Sequence, residues 1–129
     1  MRHIDWAGVH RRYQAAVGRS SAELGVAASE VGEAMLVDVR RAGIYEQAEV
    51  LIEGACWRDP ADLSSWAAAL PAGAEVVVYC VHGQEVSQAA ALKLRAAGVA
   101  ARFLHGGIEG WKAAGGRLQP KPSDPGAAS

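Results

Sequence analysis

The segment VVVYCVHGQEVS, residues 76–87, contains the side chain best suited to chemistry, Cys80. A run of hydrophobic, β-forming residues ends at Cys80, the loop CVHGQE follows, and a helix is predicted to begin directly after it. In an α/β sheet, ligand sites form where the carboxyl end of a strand leads into a helix N-terminus. Main-chain N–H groups of such a loop can surround a sulfur atom and stabilise its negative charge. We therefore predict that Cys80 is a nucleophilic thiolate, in preference to a buried structural cysteine.

The second cysteine, Cys56, leaves two interpretations open. It could lie on the same face as Cys80 and form a resolving or regulatory disulfide with it, or it could be a packed bystander, which we favour. The two cysteines stand in different sequence settings without a repeated spacing, which predicts neither a disulfide framework nor a zinc cluster. We expect no metal and no organic cofactor.

The elements that would position Cys80 alternate between strands and helices. The strand candidates are MLVDV at 35–39, EVVVYC at 75–80 and ARFLHG at 101–106. Helices are predicted from Asp59 and Pro60 to Pro71, from Gln84 to Ala97 with Gly98 as the stop, and from Ile108 to Ala114. Alternation of this kind favours parallel strands joined by helices, and the nearly continuous hydrophobicity of the strands indicates helices on both faces. The fold class is therefore α/β.

The second of these helices has the clearest period. Val86, Ala90, Leu94 and Ala97 recur at helical spacing and are predicted to form its buried stripe. Residues 21–31 also have helical character.

The chain of 129 residues is long enough for one domain with its own hydrophobic core. Residues 1–20 form an arm of uncertain structure, and residues 21–118 form the predicted domain. Residues 119–129 combine prolines with small polar side chains, and we predict a disordered tail there.

Charge and hydropathy exclude several partner classes. Thirteen basic and fourteen acidic side chains give a formal net charge of −1, so no strong field attracts nucleic acid or an anionic membrane. The apolar stretches are too short to cross a bilayer, and the first twenty residues lack a hydrophobic signal core. We expect a cytoplasmic protein without nucleic-acid or membrane partners.

Four motifs together resemble the rhodanese-like domain family. They are LVDVR at 36–40, IEGA at 52–55, VVVYCVHGQE at 76–85 and FLHGGIEGWKAAG at 103–115, in the order and approximate spacing of that family. The resemblance implies a three-layer sandwich with a parallel five-stranded sheet flanked by helices. It also implies a sulfurtransferase that takes a sulfane sulfur from thiosulfate or a persulfide onto Cys80. Its partners would be a small-molecule sulfur donor and a thiol, cyanide or redox-protein acceptor.

The resemblance assigns roles to the residues around Cys80. The substrate-binding loop would consist of Val81, His82, Gly83, Gln84, Glu85 and Val86. Gly83 would let the main chain approach the ligand. His82 either donates to a bound anion or assists proton transfer, or it only faces solvent. Gln84 either contacts the ligand or offers only its N–H. Asp38 and Arg40 are expected to tie loops together by hydrogen bonds near the site. His105, Gly106, Gly107 and Trp111 are expected to form a structural turn.

The sixth loop position departs from the pattern of active rhodaneses, which often carry a basic residue or threonine there. Glu85 occupies it, and a carboxylate should disfavour a dianion such as thiosulfate, so we predict that thiosulfate is a poor donor. The same departure keeps open a non-catalytic binding or sensing module. Another alternative, a thiol-dependent protein acting on chromate or arsenate, would need Cys56 as its resolving thiol. Phosphatases that share this fold have a loop that is one residue longer and closes on an arginine. Val86 takes that position here, so phosphate-monoester hydrolysis is disfavoured.

Overall fold

The computed structural model describes residues 24–71, 73–83 and 85–121. Residues 1–23, which include the predicted N-terminal arm, and Ala72, Gln84 and residues 122–129 lie outside the described residues. Within them the strands are β1 (Gly25–Val26), β2 (Met35–Asp38), β3 (Val50–Ile52), β4 (Cys56–Trp57), β5 (Glu75–Tyr79), β6 (Ala100–Leu104) and β7 (Leu118–Pro120). The α-helices are α1 (Ala42–Gln47), α2 (Leu63–Ala67), α3 (Glu85–Ala96) and α4 (Gly107–Ala113).

Five strands form a parallel sheet in the order β1-β6-β5-β2-β4, which confirms the predicted α/β architecture. The central strand β5 contains Val76, Val77 and Val78, each at most 3% exposed. A strand buried on both faces must be hydrophobic at successive positions, which explains why its sequence lacks alternation.

The two faces of the sheet contribute to separate hydrophobic clusters. On one face, Val78 and Phe103 pack with Leu94 of α3 and Trp66 of α2. On the other, Tyr79 and Leu104 pack with Leu51 of β3 and Ile108 of α4. Helices therefore cover both faces, as the sequence predicted.

The register of β2 against β5 positions the loops that matter. Val37 pairs with Val78, and Asp38 pairs with Tyr79, so both strands end at the same edge of the sheet. Val39 N–H donates to the carbonyl of Tyr79 at 2.8 Å and continues that pairing. Residues 39–41 and Cys80 are consequently neighbours.

The helix signals in the sequence are largely confirmed, with shorter bounds for one element. Asp59 caps the second predicted helix by accepting from Ala61 N–H at 2.9 Å, but Pro60–Asp62 is a 3-10 turn and α2 ends at Ala67. Helix α3 stops at the expected place, because Gly98 has a φ of +92°. Ala90 and Leu94 are buried, whereas Val86 and Ala97 are only partly buried.

Two local expectations were wrong. Residues 21–23 of the segment expected to be helical lie outside the described residues, and in the described part Gly25–Val26 pairs with β6 as an edge strand while Ala28–Glu30 forms a 3-10 turn instead of an α-helix. Gln119 and Pro120 do not belong to a disordered tail, since they lie in β7, which pairs antiparallel with β3. Lys121 extends this attachment by donating through Nζ to the carbonyls of Tyr45 and Glu46 at 3.0 and 2.9 Å. Main-chain pairing thus orders a segment whose side chains carry little hydrophobic signal.

None of the helices in the described residues is long and apolar enough to cross a membrane.

Candidate active site

Cys80 follows β5 directly, and its side chain is only 8% exposed. It lines a cleft of about 210 Å³ at the carboxyl edge of the sheet. The other residues that line this cleft are Arg40, Arg41, Ile44, Val81, His82, Glu85 and Val86. The structure therefore brings the predicted nucleophile together with most of the predicted substrate-binding loop, and adds Arg41 and Ile44 from the segment after β2.

The sulfur atom of Cys80 has a hydrogen-bond partner on α3. Its Sγ atom lies 3.2 Å from Oγ of Ser87, which is fully buried. A thiol donates to this hydroxyl, and a thiolate or persulfide anion accepts from it, because a hydroxyl can play either role. Ser87 was missed in the sequence, although a serine on the buried face of a helix was a signal that it has a polar partner.

The main chain of the loop is held by the N-terminus of α4. The carbonyl of Cys80 accepts from Ile108 N–H at 2.9 Å, and the carbonyl of Val81 accepts from Glu109 N–H at 3.1 Å. In a trans peptide unit the N–H points away from the carbonyl, so the amides of Val81 and His82 are directed away from α4. The first turn of α4 thus fixes the orientation of the loop amides.

Two glycines allow this close approach. Gly83 has a φ of +70°, and a Cβ atom there would lie 2.6 Å from the carbonyl oxygen of Leu104 and 2.7 Å from the amide nitrogen of Gly106. Gly107, with a φ of +60°, faces the carbonyls of Cys80 and Val81 so closely that a side chain would collide with them. Both positions require glycine for backbone conformation and for space. The turn formed by His105, Gly106 and Gly107 therefore packs directly against the cysteine loop.

Asp38 and Arg40 form a buried ion pair, and Arg40 also contributes to the wall of the cleft. Arg40 Nε donates to Asp38 Oδ2 at 2.9 Å, and its Nη2 donates to the same carboxylate and to the carbonyl of Val50. Trp57 Nε1 donates to the carbonyl of Arg40 at 2.8 Å, which ties β4 to this corner. Burial opposes the charge of Arg40, but Asp38 outweighs it, so the pKa of Arg40 is raised. The Arg40 guanidinium therefore has a structural role, because its hydrogen bonds go to Asp38 and Val50.

Tyr79 is a buried tyrosine that lies next to the same ion pair, since it is in register with Asp38. Burial, together with the nearby Asp38 carboxylate, raises the pKa of Tyr79 far above its ordinary value. Its hydroxyl accepts from Ile52 N–H at 3.1 Å and joins β5 to β3. A phenol of this kind stays protonated at physiological pH and has a structural role.

The other charged side chains that line the cleft are exposed, unlike the buried Arg40. His82 and Arg41 are both exposed, and Glu85 is exposed at the first position of α3. A carboxylate there is stabilised by the helix dipole, which accounts for an acidic residue at this position. The cleft therefore presents both signs of charge to a ligand.

Cys56 does not lie beside Cys80. It is exposed in β4, in register with Val37 and hence with Val78, which is two strands away and two residues before Cys80. Strands lie about 4.8 Å apart and rise about 3.3 Å per residue, so the two cysteine Cα atoms are roughly 12 Å apart. A disulfide requires about 4.4–6.8 Å, so this arrangement cannot form one. The expectation of a packed bystander was also wrong, because Cys56 is exposed in β4, one of the two edge strands of the sheet.

Residues 24–71, 73–83 and 85–121 contain no cluster of three or more His, Cys, Asp or Glu side chains suited to a metal ion.

Comparison with known proteins identifies the family of this chain. The sequence profile of the rhodanese-like domain matches residues 21–114, so the chain belongs to the rhodanese-like domain family. Comparison with curated proteins gives no match.

Solved structures share this fold. A full-length protein from Lactobacillus plantarum is 27% identical with a TM-score of 0.71, covering 78% of this chain and 90% of its own. The rhodanese-like domain of an Anabaena sp. protein is 26% identical with a TM-score of 0.63, covering 79% and 86%. A Rhodopseudomonas palustris protein described as a "Possible Tyrosine Phosphatase" is 19% identical with a TM-score of 0.63, covering 92% and 99%, and shows the shared fold alone.

Proposed function

We propose that this protein is a sulfurtransferase that carries a sulfane sulfur as a persulfide on Cys80. Membership of the rhodanese-like family supports this, as does the position of Cys80 in a cleft at the carboxyl edge of a parallel sheet. The chemistry needs no metal or organic cofactor, because the sulfur atom of Cys80 is both the nucleophile and the carrier.

In the first half-reaction, the Cys80 thiolate attacks the outer sulfur of the donor. The sulfur–sulfur bond of the donor breaks, and its electron pair leaves with sulfite from thiosulfate or with a thiolate from an organic persulfide. Cys80 then holds the transferred sulfur as an anionic persulfide. Amides of Val81 and His82 and the hydroxyl of Ser87 would stabilise both anions.

In the second half-reaction, an acceptor nucleophile attacks the outer sulfur of the Cys80 persulfide. Cyanide yields thiocyanate, and a thiolate yields a new persulfide. The Cys80 thiolate leaves with the electron pair, which restores the starting state without an external oxidant or reductant. This is nucleophilic catalysis by double displacement.

The observation that carries this proposal is the orientation of the cysteine loop. Its first two carbonyls are bound to Ile108 and Glu109 of α4, and the amides of Val81 and His82 are directed away from that helix. A loop held in this way offers hydrogen-bond donors to an anion without a side-chain cation. That arrangement suits a thiolate and a persulfide equally, since both carry one negative charge on sulfur.

Steady-state kinetics test the proposal. With glutathione persulfide as donor and cyanide as acceptor, wild-type protein should form thiocyanate, and reciprocal plots at several fixed cyanide concentrations should be parallel. Cys80→Ser should reduce the rate to the uncatalysed background. Cys56→Ser is the matched control and should keep the wild-type rate. A Cys80→Ser variant that retains turnover would exclude the mechanism.

The alternative of a binding or sensing module draws support from Glu85, because an exposed carboxylate at the cleft opposes binding of a dianionic donor. Equal, negligible turnover of wild type and Cys80→Ser, with ligand binding retained, would favour the module. Reduction of chromate or arsenate through an internal disulfide finds no support, since Cys56 and Cys80 are too far apart to pair.

A further inference from the structure

Arg41 and Glu85 are oppositely charged side chains at the junction of two clefts. Both line the cleft of about 210 Å³ that contains Cys80, and both line a neighbouring cleft of about 470 Å³. Val86 also belongs to both clefts. The two spaces are therefore adjacent, and a ligand could lie across them with its reactive end at Cys80.

The larger cleft has the character of a small-molecule site. Its volume falls within the range of roughly 300–1,000 Å³ that is typical of such sites, whereas the cleft at Cys80 is smaller. Its lining combines apolar groups from Pro60, Leu63 and Ala89 with four charged residues. Asp59 and Lys93 line the larger cleft alone, whereas Arg41 and Glu85 also line the cleft at Cys80. A small inorganic ion would leave this space unused, so its size favours a donor with an organic part.

The charges at the junction are available to a ligand. Arg40 is engaged by Asp38, and its guanidinium cannot also serve a donor without giving up that pair. Among the described residues, Arg41 and Glu85 take part in no ion pair, and both are exposed. Their opposite signs match a ligand that carries a carboxylate and an ammonium group.

We infer that Arg41 and Glu85 select the persulfide of an amino-acid-like thiol as the sulfur donor, a deduction that rests on the proposed sulfurtransferase function. Arg41 binds the carboxylate of the donor, and Glu85 binds its ammonium group. The Cys80 thiolate attacks the outer sulfur of the persulfide, and the sulfur–sulfur bond breaks. The electron pair leaves on the inner sulfur as the thiolate of the amino acid, which takes a proton from solvent.

Three small donors share the same persulfide group and differ in the two charged groups that the inference concerns. Cysteine persulfide carries both groups, N-acetylcysteine persulfide lacks the ammonium group, and cysteamine persulfide lacks the carboxylate. Thiosulfate is the inorganic reference. The second-order rate constant for formation of the Cys80 persulfide is measured by rapid quench and intact mass for each donor, with the full-length wild-type protein and with Arg41→Gln and Glu85→Gln.

The expected pattern is specific to each donor. Arg41→Gln should lower the rate constant about fivefold to tenfold for the two donors with a carboxylate, and change it less than about twofold for cysteamine persulfide. Glu85→Gln should lower it about fivefold for the two donors with an ammonium group and raise it for thiosulfate. Arg117→Gln and Glu53→Gln are matched controls, because this exposed pair lines neither cleft. Both control variants should have the wild-type rate constant with every donor.

The outcomes separate the inference from the proposed function. If Cys80 becomes persulfidated but either variant changes all donors equally, or changes none, then the donor selection is wrong and the sulfurtransferase function stands. If no donor modifies Cys80 in the wild type, the proposed function fails and the inference fails with it.

Discussion

The Sγ atom of Cys80 lies 3.2 Å from Oγ of Ser87, and this contact joins the residue after β5 to the first turn of α3. Ser87 is fully buried, so its hydroxyl is shielded from solvent. In the proposed mechanism the hydroxyl donates to the thiolate and then remains beside the sulfur that becomes the inner atom of the persulfide.

Replacement of Ser87 by alanine should slow reactions of the Cys80 thiolate. A hydrogen bond to a charged group contributes about 1.5–3 kcal/mol, and the greater nucleophilicity of a less stabilised thiolate offsets part of its loss, so Ser87→Ala should reduce the rate of alkylation by iodoacetamide at pH 7 about threefold to tenfold. The measurement is the rate of mass increase on Cys80, with the exposed Ser64→Ala as the control. Alkylation of Ser87→Ala at the wild-type rate would show that the hydroxyl does not stabilise the thiolate.

Replacement of Gly83 by alanine should lower the free energy of unfolding by more than the strain of a positive φ alone. The control is Gly73→Ala, because Gly73 has a φ of +79° with open space around its Cβ position, whereas Gly83 has a φ of +70° and no space. Gly73→Ala should cost about 1–2 kcal/mol in denaturant-induced unfolding. Gly83→Ala should cost about 1–3 kcal/mol more, because the loop must move away from Leu104 and Gly106. Equal costs would contradict the close packing.

The Asp38–Arg40 pair should be among the most sensitive polar contacts in the described fold. Asp38→Asn keeps the shape but leaves the buried guanidinium without its counter-charge, which should cost about 3–5 kcal/mol in the free energy of unfolding. Glu53→Gln, in the exposed pair with Arg117, should cost less than about 1 kcal/mol. A loss below about 1 kcal/mol for Asp38→Asn would show that the pair is not needed to order this corner.

Alkaline pH should destabilise the protein through Tyr79. Its pKa is raised in the folded state, so between about pH 10 and 11.5 the unfolded chain loses this proton while the folded protein keeps it. The contribution to stability is present below about pH 10 and is lost as pH rises, with a slope of up to about 1.4 kcal/mol per pH unit. Tyr79→Phe should therefore show a flatter decline in urea titrations, whereas parallel curves would count against the assignment.

The sequence predicted the parts of the site that follow from local pattern. A hydrophobic strand, a glycine-containing loop and a helix with Gly98 as its stop placed Cys80 at the sheet edge, and the structure has these elements. The edge strands β1, β4 and β7 gave no comparable signal, because two or three residues are too few for a period. Strand β7 forms from Leu118, Gln119 and Pro120 by main-chain pairing, which side-chain hydrophobicity does not report.

Neighbours that depend on tertiary packing were not predictable from spacing. Arg41 lies beside Cys80 because β2 and β5 end at the same edge, a relationship that requires the register Asp38–Tyr79. The distance between Cys56 and Cys80 depends on strand order, since β2 lies between β4 and β5. The sequence allowed both cysteines to face one site, and only the order of the strands excludes it.

The central claim is that Cys80 accepts and holds one sulfur atom. The most direct measurement is the intact mass of the protein after brief exposure to equimolar glutathione persulfide or cysteine persulfide and removal of the donor. Wild type and Cys56→Ser should each be heavier by the mass of one sulfur, located on Cys80 by peptide mapping, and cyanide should remove it as thiocyanate. An unmodified Cys80 after both donors, or a sulfur found instead on Cys56, would contradict the account.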